Sequence, residues 1–174
     1  MKDKGYIQVY TGDGKGKTTA ALGLSIRAVG AGYKVFIGQF VKGMKYSETR
    51  AISEYFDDKI RIEQFGTGCF IKEEPSEDDI RKARKGLEKI NKVIEENKYD
   101  IIVLDEAFIA IFFNLFTEDD LIEVIKKKRE NQEIIITGRK ATEKILEMAD
   151  LVTEMREIKH YYQRGVEARK GIES

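Results

Sequence analysis

Apolar residues recur along this chain at two periods that take turns, every second position in some stretches and every third or fourth in others. Residues 6–10 alternate and are rich in β-formers, and a glycine-rich loop follows at once. From 17 to 31, Ala20, Ala21, Leu24, Ala28 and Ala31 fall at helical spacing. Strand, loop and helix are predicted. Gly30 and Gly32 end the helix and residues 34–40 read as a second strand, so the first unit is a βαβ crossover with parallel pairing. A short helix over 47–55 and a strand over 60–65 repeat the pattern.

Pro75-Ser76 opens the most clearly marked helix, with Glu77, Asp78 and Asp79 in the first turn, where the helix dipole favours negative charge. Ile80, Ala83, Leu87, Ile90 and Ile94 follow in steps of three and four, a stripe that should lie on the sheet opposite a solvated face of Lys, Arg and Glu. Ile101-Ile102-Val103-Leu104 is a continuous apolar run, as expected of a central parallel strand buried on both faces, and it ends in Asp105-Glu106. A helix from Thr117, a strand over 133–137, a helix over 142–149 and a strand over 151–155 complete the alternation. The expected fold is α/β, a three-layer α/β/α sandwich with a mainly parallel sheet, in one domain spanning residues 1–174. The tail over 157–174 loses the periodicity and is expected to be mobile.

The loop after the first strand reads Gly12-Asp13-Gly14-Lys15-Gly16-Lys17-Thr18. Phosphates need dense hydrogen-bond donors and positive charge, which backbone N–H groups supply only where side chains do not block their approach. Glycines permit that approach, Lys17 can reach the phosphates, and the Thr18 hydroxyl in the first helical turn can ligate Mg2+. The competing reading, a glycine turn serving only strand-to-helix geometry, is disfavoured because strand, loop and helix all fall where a P-loop requires them. The fold is accordingly expected to be P-loop NTPase-like, of the RecA-like kind. One position departs: the general pattern asks for glycine where this chain has Thr11. Asp105 and Glu106 resemble a Walker B segment, whose acid binds the nucleotide's metal. The two halves specify a Mg-nucleotide site and no particular reaction.

Composition removes other classes. Lys+Arg 31 balance Asp+Glu 31, so no net field recruits nucleic acid or an anionic membrane. A single cysteine, Cys69, excludes an internal disulfide and paired-cysteine zinc sites, which suits a reducing cytoplasm. No apolar stretch precedes the first strand and none approaches the length of a membrane span, so neither export nor anchoring is expected.

Three further segments, Gln39-Phe40-Val41-Lys42-Gly43, Gly66-Thr67-Gly68 and Thr137-Gly138-Arg139, sit at carboxyl ends of predicted strands, the edge where ligands bind an open parallel sheet. They are expected to line one cleft with the P-loop. With these residues the chain resembles the P-loop-type corrinoid adenosyltransferases. The matching stretches are 12–19, 39–43, Leu104-Asp105-Glu106, 137–139, 149–155 with Lys159-His160, and the closing 165–173.

The resemblance implies transfer of the 5'-deoxyadenosyl group of ATP to the cobalt of a reduced corrinoid, giving adenosylcobalamin or an adenosylated precursor and releasing triphosphate. It implies ATP held in the reverse sense to ordinary P-loop enzymes, Mg2+ or Mn2+ with the nucleotide, the corrinoid as co-substrate, a flavodoxin-type reductant and a homodimer. Gly12, Asp13, Gly14, Lys15, Gly16, Lys17, Thr18 and Thr19 would hold ATP, with Gln39, Lys42, Phe70 and Arg139 completing the binding set. Lys17 and Thr18 would act on the leaving triphosphate, and Thr18, Asp105 and Glu106 would hold the metal. The chain departs from the family at two places. Its P-loop begins near the start of the sequence, so the family's closing N-terminal helix is expected to be missing. Cys69-Phe70-Ile71 has its aromatic in the middle, where the family often places two aromatics flanking one residue. The apolar wall near cobalt is then expected from Cys69, Phe70 and Ile71 or from Phe112 and Phe113, which can equally be core.

Cobalt(I) arrives already nucleophilic on its cofactor, so no protein base is required. His160 is read as a hydrogen-bonded tail residue and not as a cobalt ligand, because a fifth ligand makes cobalt(II) harder to reduce. A P-loop kinase or ATPase and a non-catalytic nucleotide switch are the alternatives.

Overall fold

The computed structural model describes residues 4–44, 46–68 and 74–173. Cys69, Phe70 and Ile71, the expected apolar wall, lie outside the described residues. Six strands form one sheet: β1 Ile7–Thr11, β2 Val35–Phe40, β3 Ile60–Phe65, β4 Ile101–Asp105, β5 Glu133–Thr137 and β6 Leu151–Glu154. Their order is β3-β2-β4-β5-β1-β6, and every pairing is parallel. The helices are α1 Lys17–Gly30, α2 Ser47–Tyr55, α3 Glu77–Glu96, α4 Ala107–Phe112, α5 Glu118–Ile125 and α6 Glu143–Met148.

Strands β2, β4 and β5 are buried at every position, and their largely apolar sequences suit a sheet covered on both faces. Alternation along β4 then divides the core. Ile102 and Leu104 pack with α3, α4, α5 and Ile145 of α6, while Ile101 and Val103 pack with Ala21 and Ala28 of α1 and Ile52 of α2. Three layers result, as expected.

Helix α3 starts where the sequence marks it. The Ser76 hydroxyl accepts the Asp79 N–H at 3.2 Å and the Asp79 carboxylate accepts the Ser76 N–H at 3.0 Å, a reciprocal cap. Ala83, Leu87, Ile90 and Ile94 are buried on the sheet, and Gly86 joins them because a Cβ there would come within 2.3 Å of the Phe65 ring. Helix α4 was not expected. It follows β4 without a loop, and the left-handed backbone of Glu106, φ 58°, makes the turn between them. Among the described residues no helix is long and apolar enough to cross a membrane.

Candidate functional site

The order of the strands decides what the P-loop can meet. β1 delivers the loop at its carboxyl end, and β5 separates β1 from β4, so a side chain from α1 must reach across β5 to touch the end of β4. Thr18 does so. Its hydroxyl donates to Asp105 Oδ1 at 2.8 Å, and Thr137, the last residue of the intervening strand, donates to the same oxygen at 2.7 Å. Thr137 Oγ1 also accepts the Glu106 N–H at 3.0 Å, which fixes the turn into α4.

The other carboxylate oxygen of Asp105 accepts from Gln39 Nε2 at 3.0 Å and Lys42 Nζ at 2.9 Å. Asp105 is 1% exposed, so this carboxylate is a fully solvated-by-protein hub with four donors and no face toward open space. Gln39 is wholly buried and accepts in turn from Gln64 Nε2 at 3.1 Å; it reaches the cleft only through Asp105. Burial alone would push the Lys42 ammonium down, but the charge and hydrogen bond of Asp105, with Glu106 and Glu48 behind it, hold it above the usual lysine range.

The P-loop wraps its own lysine. Lys17, 6% exposed, donates to the carbonyls of Gly12 at 2.6 Å and Gly14 at 2.8 Å. Burial lowers its pKa, an effect that the nearby Glu106 carboxylate partly offsets. Gly12 and Gly16 have φ of 93° and 118°, the left-handed region that glycine occupies without strain. A second constraint was not foreseen: a Cβ on Gly12 or Gly14 would meet the Met155 carbonyl at 2.5 or 2.6 Å, because the chain leaving β6 crosses the loop. Thr11, the departure from the motif, joins that crossing. Its carbonyl accepts the Met155 N–H at 2.8 Å and its hydroxyl the Ala141 N–H at 3.4 Å.

These elements enclose a cleft of about 490 Å3. Asp13, Gly14, Lys15, Gly16, Lys17, Thr18 and Thr19 line it together with Lys42, Glu106 and Arg139, so most of the expected binding set converges. Gly12 contributes its carbonyl to Lys17 from outside the lining, and Phe70 lies outside the described residues. The 66–68 loop does not line the cleft; Gly43 N–H donates to the Gly68 carbonyl at 2.8 Å, so this loop buttresses the one that carries Lys42. Leu22, Ser47, Glu48, Glu157, His160, Gly171, Ile172 and Glu173 also line the cleft, none of them singled out by the sequence as ligand-binding.

Burial, then the adjacent Asp105 carboxylate, pushes Glu106 above the usual carboxylate range, against the pull of Lys42, Lys17 and Arg139. Val41, Glu106 and Lys140, just past the ends of β2, β4 and β5, all have φ near 59°, at 59°, 58° and 59°. Left-handed backbone at non-glycine residues, one of them β-branched, is costly and clusters at functional sites. Here it rims the carboxyl edge of the sheet. Phe112 is half exposed, with Lys140 Nζ 3.5 Å from its ring centroid and the Phe113 ring 5.2 Å away, whereas Phe113 packs on the core. His160 Nδ1 accepts the Tyr162 N–H at 3.1 Å, as a hydrogen-bonded tail histidine would.

The oxygen donors present are those a hard cation uses: the Thr18 hydroxyl and the Asp105 and Glu106 carboxylates. Among the described residues no cluster of three or more His, Cys, Asp or Glu could cage a metal, so a cation here would draw its remaining ligands from phosphate and water, the usual habit of Mg2+.

A parallel α/β/α sheet with a lysine-filled glycine loop after β1, and a threonine reaching the acid at the end of β4, defines a P-loop nucleotide-binding protein. The sequence matches the ATP:corrinoid adenosyltransferase BtuR/CobO/CobP family over residues 3–174, and the chain belongs to that family. It is similar to the corrinoid adenosyltransferase of a Sinorhizobium species, 34% identical over 173 residues covering 98% of this chain and 81% of the relative. It is 33% identical to that of Escherichia coli (strain K12) over 98% of this chain and 86% of the relative. Against the corrinoid adenosyltransferase CobA of Salmonella typhimurium the figures are 33%, 99% and 87%.

Proposed function

We propose that this chain is an ATP:corrinoid adenosyltransferase that moves the 5'-deoxyadenosyl group of ATP onto the cobalt(I) of a corrinoid. The observation that carries this reading is the family match over residues 3–174, laid on a cleft in which the P-loop, Lys42, Glu106 and Arg139 converge. The cobalt(I) electron pair attacks the ribose C5' carbon, a cobalt–carbon bond forms, and the bond from C5' to the α-phosphate oxygen breaks. Triphosphate leaves with that electron pair, and cobalt ends formally as cobalt(III).

No proton moves, so the protein's work is alignment and stabilisation of charge on the leaving group. Lys17 exchanges the Gly12 and Gly14 carbonyls for phosphate oxygens, and the loop amides and Lys15 hold the rest of the chain of phosphates. Thr18 and Glu106, backed by Asp105, would hold a Mg2+ ion, which would supply positive charge against the triphosphate. Of the two acids Glu106 is the better placed, because it lines the cleft while Asp105 is already saturated by four donors. Arg139 and Lys42 add positive charge to the cleft at the rim proposed for the corrinoid. Half-exposed Phe112 offers an apolar surface at that rim, and Phe70 is retained as a second candidate for it. The protein works in the cytoplasm as a homodimer, with a flavodoxin-type reductant supplying cobalt(I).

Purified protein, Mg-ATP and a chemically reduced corrinoid test the reaction. Inorganic triphosphate should form in equal amount to a light-sensitive alkylcobalt product, with little ATP consumed when corrinoid is withheld. ADP and orthophosphate produced at a rate indifferent to corrinoid would replace this reading with a kinase or ATPase.

A further inference from the structure

The segment that leaves β6 doubles back over the P-loop and ends in the cleft. Gly165 and Gly171, with φ of 78° and 80°, make its two left-handed turns, and a 3-10 turn, Tyr161–Arg164, begins it. Its last residues close on themselves. The Glu173 carboxylate accepts from the Arg169 N–H at 2.8 Å, from Arg169 Nε at 3.3 Å and Nη2 at 3.2 Å, and from the Tyr161 hydroxyl. The Arg169 guanidinium also lies over the Tyr161 ring, 5.0 Å from its centroid. Arg169 and then Tyr161 hold the Glu173 carboxyl down to about 2, so the knot is ionised throughout the working pH range.

This knot is tied to the phosphate loop at one side chain. Lys15 Nζ donates to the Ile172 carbonyl at 3.0 Å and stands 3.9 Å from Glu173 Oε1. Gly171, Ile172 and Glu173 line the same cleft as residues 13–19. An ammonium has three N–H donors, so Lys15 can keep the Ile172 carbonyl and turn the others toward a ligand oxygen. Glu173, already paired with Arg169, adds little repulsion against an anion there.

We propose that the C-terminal segment is a positioning element of the triphosphate site, in which Glu173 fixes the final turn so that Ile172 holds Lys15 ready for phosphate. The proposal rests on the reading of this cleft as a nucleotide site. It gives the segment a task that neither the P-loop motif nor the Walker B acids perform. A long, rotamer-rich side chain that is already held loses less freedom on binding, an advantage of about two- to tenfold in affinity.

The test uses the full chain with inorganic triphosphate and Mg2+, and no corrinoid, so that binding is read apart from transfer. Titration calorimetry should show Glu173→Ala weakening triphosphate about two- to tenfold, with the circular dichroism unchanged. In a Lys15→Ala background the same substitution should have no further effect, because the side chain it positions is gone. Equal weakening in both backgrounds, or none in either, overturns the proposal and leaves the nucleotide site standing. Failure of the unsubstituted protein to bind triphosphate would overturn the proposal and the nucleotide reading together.

Discussion

Asp105→Asn separates the two acids at the end of β4 by what each holds together. In the native chain Asp105 Oδ1 accepts from two hydroxyls that can reverse their role, while Oδ2 accepts from Gln39 and Lys42, which cannot. An asparagine must therefore keep its carbonyl toward Gln39 and Lys42 and give its amide to Thr18 and Thr137. The hydrogen bonds survive in number, but the charge opposite Lys42 is lost. Removing one partner of a buried ion pair costs about 3–5 kcal/mol. The Lys42 side chain is 18% exposed and can relax toward water, which lowers the expected cost to about 2–4 kcal/mol. For a chain of this length that is a fall of about 5–15 °C in Tm, read by thermal unfolding in the absence of nucleotide. A shift below about 2 °C would refute the hub, since it would mean that Lys42 is held by something other than Asp105.

Glu106→Gln should behave in the opposite sense. A folded-state pKa raised above the usual 4.5 stabilises below the unfolded value and loses that contribution as pH rises, so the ionised carboxylate is a burden at neutral pH. The substitution should raise Tm at pH 7 and have little effect near pH 4, while weakening the Mg2+ dependence of transfer; a lower Tm at pH 7 would reverse the reading. Lys17→Ala removes the cation proposed to meet phosphate, and two loop hydrogen bonds, but no core packing. It should weaken Mg-ATP binding by calorimetry at least about tenfold with the circular dichroism intact, and unchanged binding would take Lys17 out of the phosphate site. Gly86→Ala gains helix propensity but drives a methyl to within 2.3 Å of Phe65 Cγ, so denaturant unfolding should show a net loss of about 1–3 kcal/mol, and a net gain would mean the ring moves freely.

The fold was readable where one period ran between clear stops. The bounds 47–55, 60–65 and 133–137 match α2, β3 and β5, and Ser76 and Thr117 cap α3 and α5 as their side-chain chemistry suggests. Helix α4 was missed because residues 107–113 are apolar without interruption, and such a run carries no period to tell a buried helix from a strand. Gly86 was missed for a different reason: the constraint on it comes from Phe65, on another element. The glycine loop that lines the cleft was legible because a P-loop is local in sequence. The walls of the cleft were not, since Lys15 meets Ile172 across 157 positions and no periodicity encodes such a meeting. Gln39 was expected at the carboxyl end of the second strand, where it lies, yet its burial beneath Asp105 depends on β2 pairing with β4.

Thr11 shows how a departure from a motif can carry structure. A glycine there would lose the hydroxyl that accepts from Ala141 after β5, and would free backbone that now pairs with Met155 after β6. That pairing uses the Thr11 carbonyl on one side and the Gly14 N–H, at 2.7 Å to the Met155 carbonyl, on the other. The loop is therefore shaped by main-chain bonds before any ligand arrives, which spares the cost of organising it around phosphate. The same bonds have a consequence for recognition. With Gly14 N–H already spent on Met155, a triphosphate in the proposed site would be faced by the amides of the following residues, at the start of α1, where the helix N-terminus adds its own positive end. The glycines at 12 and 14 are then fixed by the chain leaving β6 as well as by the phosphates proposed in front of them, and Lys17 is bonded to both of their carbonyls.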